Sequence, residues 1–435
     1  MESLKIMPGG PLIGEVRVPG DKSISHRAVM LAAVADGTSR ISGFLTGEDS
    51  INTARALVSM GVRIDGLGGT ELTVYGVGLD GLTKPADTID LGNSGTSIRL
   101  LSGLLSGQKF GCRLTGDKYL CKRPMDRIVK PLAAMGARIH GEGDRNFPPL
   151  TVEPAAGQLK GEPYNSPIAS AQVKSCLMLA GLYASGTTSV TEPVRSRDHT
   201  ERMLKYMGVD VAVDGLTVSL SGGQRLQARE FMVPADLSSA AFFMVAAAIV
   251  PSSRLVIKDV GINKTRSGII DILRLMNAAI SVENPREDGP EPVADIIVEH
   301  SDLHGIEISG ELFVRAIDEF PIICIAAAAA KGVTVVKDAA ELRVKESDRI
   351  SAMAVELAKL GVAVKETPDG IIIEGGMPFV PAEIDSHGDH RVAMAMAVAA
   401  LIAGDPEDGG TTINDTENID TSFPGFAALL ESVRA

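Results

Sequence analysis

Alanine-, leucine- and methionine-rich stretches of helical length recur along the chain. Between them run short alternating segments such as Leu72 to Tyr75 and Ile371 to Glu374, set off by glycine turns. The first pattern predicts helices and the second half-buried strands, so the chain reads as an α/β mixture. A small turn residue ends an apolar helical stretch and precedes a β-branched strand at Gly37, Gly111, Gly186, Ser252, Gly332 and Gly410, at steps of 74, 75, 66, 80 and 78 residues. A second marker recurs at Met60-Gly61-Val62, Met135-Gly136-Ala137, Met207-Gly208-Val209, Met276-Asn277-Ala278 and Leu360-Gly361-Val362. Two markers interleaved at one period predict six copies of a unit of about 72 residues with two helices and several strands.

The segments Val18-Pro19-Gly20-Asp21-Lys22-Ser23 and Val233-Pro234-Ala235-Asp236-Leu237-Ser238 resemble each other, and each introduces an apolar helix. They are expected to be paired crossings between two lobes. One lobe comprises residues 20–233. The other comprises 1–19 with 234–435, its fold completed by the N-terminal strand. Hinges are expected near 18–21 and 233–236.

Composition narrows the function classes. In 435 residues, 45% are apolar, 22% charged and 4% aromatic, without tryptophan, which places the chain among folded globular proteins. Apolar runs such as Ala240 to Val250 fall short of the ~20 residues that cross a bilayer. Met1 to Gly14 lacks the pattern of an export signal, so a cytoplasmic location is expected. The formal charge of −13 argues against nucleic acid as a partner. It does not exclude small anions, because remote surface charge is screened within about 8 Å whereas a nearby cation is not. Cys112, Cys121, Cys176 and Cys324 show neither close pairing nor metal-ligand spacing and read as buried small apolar groups. His140, His300, His304 and His387 read as surface or structural, and no metal is implied.

The chemistry stands at the helix starts. Asp21 to Arg27 precedes Ala28 to Ala35, Gly92 to Ser97 precedes Ile98 to Leu105, and Ser170-Ala171-Gln172 precedes Val173 to Ala180. Ser196 to Glu201 opens another helix, Asp318 to Pro321 opens Ile322 to Ala330, Lys345 to Arg349 opens Ile350 to Leu360, and Asp389-His390-Arg391 opens Val392 to Ile402. Serine and aspartate there are explained by N-capping, which contributes about 1 kcal/mol. Capping does not call for cations, which the positive end of a helix disfavours. Lys22, Arg27, Arg197, Lys345, Arg349 and Arg391 therefore point to an anionic ligand held among helix N-termini, with Arg123 a further candidate. Asp318 and Glu346, close to these cations, are candidate proton acceptors or donors. Gly92 to Gly95 matches no nucleotide-binding fingerprint.

Taken together, the segments Asp21-Lys22-Ser23-Ile24-Ser25-His26-Arg27, Leu91-Gly92-Asn93-Ser94-Gly95-Thr96, Arg343 to Arg349 and Asp389 to Ala395 resemble the 5-enolpyruvylshikimate-3-phosphate synthase family over nearly the whole chain. The resemblance implies two similar lobes, each of three βαβαββ units around parallel helices. This is an inside-out α/β barrel, α+β in stricter schemes, with the active cleft between the lobes. It implies transfer of the carboxyvinyl group of phosphoenolpyruvate to the 5-hydroxyl of shikimate 3-phosphate, without a cofactor, in a monomer.

By motif position the resemblance assigns Lys22, Gly95, Arg123, Gln172, Arg349 and Arg391 to phosphoenolpyruvate. To shikimate 3-phosphate it assigns Lys22, Ser23, Arg27, Ser170, Ala171, Gln172, Ser196, Arg197, Asp318 and Lys345. Lys22, Asp318 and Glu346 would be catalytic. The inhibitor glyphosate is expected beside Lys22 and Arg123 in competition with phosphoenolpyruvate, because Gly95 leaves room that an alanine would fill. The chain departs from some members of the family. Asp420-Thr421-Ser422-Phe423-Pro424 lacks their lysine, Ala171 replaces a serine, and Arg197-Asp198-His199-Thr200 replaces a tyrosine-bearing segment. The homologous transferase acting on UDP-N-acetylglucosamine is one alternative, but it expects Lys-Asn where this chain has Lys22-Ser23 and a reactive cysteine, whereas Arg123-Pro124-Met125 fits the shikimate enzyme. A non-catalytic anion-binding repeat protein is the alternative of another class.

Overall fold

The computed structural model describes residues 2–287 and 289–435. Its helices are α1 (Lys22–Ala33), α2 (Glu48–Ser59), α3 (Gly95–Ser106), α4 (Asp126–Ala134), α5 (Ala171–Gly181), α6 (His199–Tyr206), α7 (Leu237–Ile249), α8 (Gly268–Leu275), α9 (Gly310–Val314), α10 (Phe320–Ala329), α11 (Arg349–Lys359), α12 (His390–Ala400) and α13 (Phe426–Ser432). The chain divides into a unit that is continuous over Gly20–Val233 and adds only Asp288–Glu291, called the continuous unit, and a split unit, Met1–Pro19 with Pro234–Glu287 and Pro292–Ala435.

The continuous unit holds three four-stranded sheets. One runs in the order Ile89–Asp90, Cys112–Thr115, Phe147–Glu153, Arg138–Glu142, with the first pair parallel and the others antiparallel. In chain order this is strand, α3, strand, α4, then a hairpin, the βαβαββ unit. Pro163–Asn165, Thr187–Thr191, Thr217–Ser221 and Val211–Asp214 repeat that order around α5 and α6. The sheet around α1 and α2 takes its parallel edge strand, Glu230–Met232, from the far end of the segment, where it pairs with Asp36–Ser42.

In the split unit, Glu307–Ile308, Gly332–Val336, Gly370–Gly375 and Ala363–Thr367 repeat the same pattern. The N-terminal strands complete the other two sheets. Ile13–Val16 runs parallel to Arg254–Gly261, and Ser3–Ile6 pairs antiparallel with Thr411–Asn414.

Apolar content decides which helices go inside. Every residue of α7 is buried, as is every residue of α12, and their sequences are apolar on all faces beyond the first turn. The outer α4 instead buries Ile128, Val129 and Leu132 while Arg127 and Lys130 face solvent. Gly103 lets α3 lie against α5, since a Cβ there would stand 2.1 Å from the Cys176 carbonyl oxygen. Each unit closes on its own apolar core, one around Leu31, Leu101 and Leu177, the other around Phe243, Ile323 and Met396.

The second recurring marker is a left-handed residue just after an outer helix. Gly61, Gly136, Gly208, Asn277 and Gly361 have φ of 90°, 92°, 88°, 73° and 83°, where a residue with a side chain is strained unless it is asparagine or the like. Of the first marker, Gly37, Gly186, Ser252, Gly332 and Gly410 also have positive φ, whereas Gly111 does not. There the turn at residues 107–110 makes the connection without a left-handed step. Cys176 and Cys324 are buried as expected, but Cys112 and Cys121 are only half-buried. Cys112 lies on the strand Cys112–Thr115 and Cys121 in a short 3-10 turn, where the Cys121 thiol donates to the Gly116 carbonyl oxygen.

Candidate active site

In the continuous unit the N-terminal turns of α1, α3 and α5 come together. Asp21 caps α1 by accepting from Ile24 N–H at 2.9 Å, and Ser94 and Ser170 cap α3 and α5 in the same way. His26 Nδ1 lies 2.8 Å from Thr53 Oγ1, which lies 2.6 Å from Ser97 Oγ, so hydroxyls tie α1, α2 and α3 to one another. Converging N-termini put unpaired N–H groups and partial positive charge on one face.

Cations are added to that face. Lys22 in the first turn of α1 is paired with Asp49 of α2 at 3.1 Å, its side chain 17% exposed. Arg123 donates to the Asn93 carbonyl oxygen at 3.3 Å and to the Asn93 side chain. Arg99 donates to Gln172 Oε1 at 2.8 Å and to the Gly95 carbonyl oxygen at 3.1 Å, while Gln172 Nε2 donates to Thr96 Oγ1 at 3.0 Å. A Cβ on Gly95 would approach the guanidinium groups of Arg99 at 2.7 Å and Arg123 at 3.0 Å. The glycine therefore gives two arginines their places.

Arg27 is held on several sides within its own unit. It donates to Thr200 Oγ1 at 2.7 Å, Ser175 Oγ at 2.8 Å and the Ser23 carbonyl oxygen at 2.9 Å. Burial lowers its pKa to about 10, against the support of Glu201 and Asp21, so it remains charged at neutral pH. Burial, then the charges of Lys22 and Arg27, holds His26 well below the usual histidine range, so its ring is neutral. Ser170 N–H and the Ser196 hydroxyl both donate to Glu192, at 3.0 and 2.9 Å. Arg197 follows Ser196 and is half-buried, and Ala171 is the first residue of α5.

The split unit gathers the N-terminal turns of α7, α10 and α12 with that of α11. Asp389 caps α12 and receives Arg349 Nε at 2.7 Å. Arg349, its side chain 2% exposed, also reaches Glu346 at 2.8 Å and stands 3.8 Å from Asp318. Burial alone would lower the Arg349 pKa, but Asp389, Glu346 and Asp318 raise it instead. Burial would likewise raise Asp389, and Arg349 outweighs it to hold the carboxylate below its ordinary value. Arg391 donates to the Asp318 carbonyl oxygen at 3.0 Å. Lys345 and Glu346 lie half-buried between the turn Ala340–Val344 and α11.

At α7 the cluster has another character. Asp236 is paired with Arg266 at 2.6 Å, Arg266 donates to Ser238 Oγ at 2.8 Å, and Ser238 donates to Glu319, all of them buried. Leu237 stands where the matching segment of α1 carries Lys22.

The sequence-predicted residues thus fall into two groups. The continuous unit brings together Lys22, Ser23, Arg27, Gly95, Arg123, Ser170, Ala171, Gln172, Ser196 and Arg197. The split unit brings together Asp318, Lys345, Glu346, Arg349 and Arg391. Asp49, Asn93, Arg99, Glu192 and Asp389 hold these side chains through direct contacts. Sequence reasoning gave Asp49, Arg99 and Glu192 no role and read Asn93 and Asp389 only as parts of helix starts. Arg99 carried the one usable signal, the single charge on a helix otherwise made of apolar and small hydroxyl residues. Segment 420–424, which lacks the lysine of some relatives, turns into the core at Phe423, set edge-to-face against Phe426 with ring centroids 5.3 Å apart. No helix of the described residues is long and apolar enough to cross a membrane.

A family model described as EPSP synthase (3-phosphoshikimate 1-carboxyvinyltransferase) matches residues 6–430. Two curated relatives named 3-phosphoshikimate 1-carboxyvinyltransferase, from Geobacter sulfurreducens and Geobacter metallireducens, are each 54% identical. They cover 100% of this chain, which spans 99% and 100% of theirs. The solved structure of an EPSP synthase from Acinetobacter baumannii matches with a TM-score of 0.88 at 50% identity, over 100% of this chain and 98% of that one.

Proposed function

The chain belongs to the EPSP synthase family, and from that premise we propose which of its residues carry the reaction. The enzyme transfers the enolpyruvyl group of phosphoenolpyruvate to shikimate 3-phosphate, releasing phosphate, in the shikimate pathway to aromatic amino acids. The two residue groups serve that one reaction. Lys22, Gly95, Arg123, Gln172, Arg349 and Arg391 hold phosphoenolpyruvate, and Ser23, Arg27, Ser170, Ala171, Gln172, Ser196, Arg197 and Lys345 hold shikimate 3-phosphate with Lys22 and Asp318.

Transfer is an addition followed by an elimination. The substrate hydroxyl loses its proton as its oxygen bonds to the central carbon of phosphoenolpyruvate, and the neighbouring methylene carbon gains one. The resulting methyl then gives a proton back as the C–O bond to phosphate breaks. An acid and a base must therefore coexist. Asp318 takes the hydroxyl proton, Glu346 exchanges protons with the methylene carbon, and Lys22 assists transfer and neutralises charge. The supporting observation is Arg349, which stands against both Asp318 and Glu346 and so keeps two carboxylates beside fixed positive charge. Arg27 is braced for its contact with shikimate 3-phosphate by the Thr200 and Ser175 hydroxyls and the Ser23 carbonyl oxygen.

The further parts of the proposal are a cytoplasmic monomer, hinges near 18–21 and 233–236, and glyphosate competing with phosphoenolpyruvate beside Lys22 and Arg123. Inhibition at low phosphoenolpyruvate tests the last, and resistance to millimolar glyphosate would refute it. The decisive assay follows phosphate release from phosphoenolpyruvate with either shikimate 3-phosphate or UDP-N-acetylglucosamine. Release is expected with the first acceptor alone, and release with the second alone would overturn the assignment.

A further inference from the structure

Behind Ser170 and Ser196 lies a buried ionic cluster that the reaction above leaves unused. Lys174 of α5, its side chain 1% exposed, stands 2.9 Å from Glu192 and 2.8 Å from Glu201, both acids equally covered. Burial alone would lower the lysine pKa, but Glu201 and Glu192 raise it, so it stays charged.

The two acids differ in what else they touch. Glu192 Oε1 accepts Ser170 N–H at 3.0 Å, while Oε2 accepts Ser196 N–H at 3.3 Å and the Ser196 hydroxyl at 2.9 Å. Glu201 Oε2 has no hydrogen-bond partner among the described residues. Glu192 thus joins the cap of α5 to the turn that presents Ser196 and Arg197, two segments 26 residues apart in the chain. A bare carboxylate there would repel a phosphorylated ligand; of the two acids Lys174 offsets one at contact distance, and Arg27, whose charge Glu201 supports, offsets the other.

We infer that Glu192, neutralised by Lys174, is a positioning residue for shikimate 3-phosphate, fixing Ser170 and the Ser196–Arg197 turn in one arrangement before the ligand arrives. The inference rests on the assignment of Ser170, Ser196 and Arg197 to that substrate. Glu192 touches no substrate itself. Its effect therefore belongs to the affinity for one substrate, and turnover should be spared.

The test compares two amides on the same lysine, E192Q and E201Q, each of which leaves Lys174 one carboxylate. E192Q keeps one acceptor oxygen, which stays with Lys174 and Ser196, and sets an amide NH2 against Ser170 N–H, so the bracket loses its hold on the cap of α5. The variant is expected to raise both the KM and the directly titrated Kd for shikimate 3-phosphate about tenfold, the scale of one charged hydrogen bond. Turnover and the KM for phosphoenolpyruvate should stay within about twofold. E201Q should leave the shikimate 3-phosphate KM within about twofold as well. If the two variants shift alike, or if E192Q lowers turnover while sparing affinity, the cluster is merely structural and the inference is wrong.

R197A separates this inference from the reading beneath it. Weakened shikimate 3-phosphate binding in R197A with none in E192Q refutes the bracket alone. Unchanged binding in R197A refutes the substrate assignment and the bracket with it. Should E192Q not fold, E192D keeps the charge opposite Lys174 while withdrawing it from Ser196, and the same selective loss is expected.

Discussion

Lys22 and Arg349 carry the same charge in opposite surroundings. Lys22 is partly exposed beside Asp49, whereas Arg349 is sunk among Asp389, Glu346 and Asp318. Lys22→Met and Glu346→Gln are each expected to lower turnover by about two orders of magnitude or more, the usual contribution of a positioned proton-transfer group. An unchanged thermal midpoint would show the fold intact, and near wild-type turnover would remove that residue from the mechanism.

Gly95→Ala adds a methyl group that meets Arg99 and Arg123, so both must yield. The KM for phosphoenolpyruvate is expected to rise about tenfold as their hydrogen-bond geometry is lost, and steady-state kinetics measure it. His26 bears on pH. Its folded pKa lies below the ordinary 6.5, so the unfolded chain binds a proton that the folded one refuses. Its contribution to stability is complete above that ordinary value and declines as pH falls below it. Thermal midpoints of His26→Asn should lose less than those of the wild type between pH 7 and pH 5, and parallel curves would exclude this histidine. The cations were legible because charge at a helix start contradicts capping and dipole rules. Their partners were not, since Asp49 stands 27 residues from Lys22 and Gln172 stands 73 from Arg99.

At the scale of elements, helix positions followed from apolar patterning, but the polar clusters expected to precede the helices are partly inside them. The first helix begins at Lys22, and Arg27 is in its second turn. The backbone turns helical as soon as Asp21 caps it, whatever the polarity of the following side chains. The turn markers were legible because a left-handed residue after a helix restricts the side chain on its own. The contact of α3 with α5 was not, because Gly103 looks like any glycine within a helix. Gly103→Ala places a Cβ against the Cys176 carbonyl of a packed neighbour. It is expected to destabilise the protein by about 1–3 kcal/mol despite the better helix propensity of alanine. Denaturant unfolding would show it, and a neutral or stabilised variant would mean that the two helices can separate at little cost.

For the molecule as a whole, the split unit draws strands from both ends of the chain. Ser3–Ile6 and Ile13–Val16 complete sheets otherwise built from residues beyond 253. A fragment 20–233 contains nearly all of one unit and is expected to unfold cooperatively on its own, whereas 234–435 should do so only when residues 1–19 are restored by fusion. Circular dichroism and urea unfolding of the three polypeptides test this, and a stable 234–435 would show the N-terminal strands to be dispensable.

The amino-acid order alone determined the α/β class, the sixfold recurrence and the chemical type of the site. These depend on local rules: hydrophobic period, the left-handed residue after a helix, and cations where the helix dipole disfavours them. Tertiary structure decided which strand each sheet borrows, which carboxylate neutralises which cation, and which hydroxyls brace Arg27. Those outcomes depend on through-space distances between segments tens to hundreds of residues apart, and no local preference encodes them.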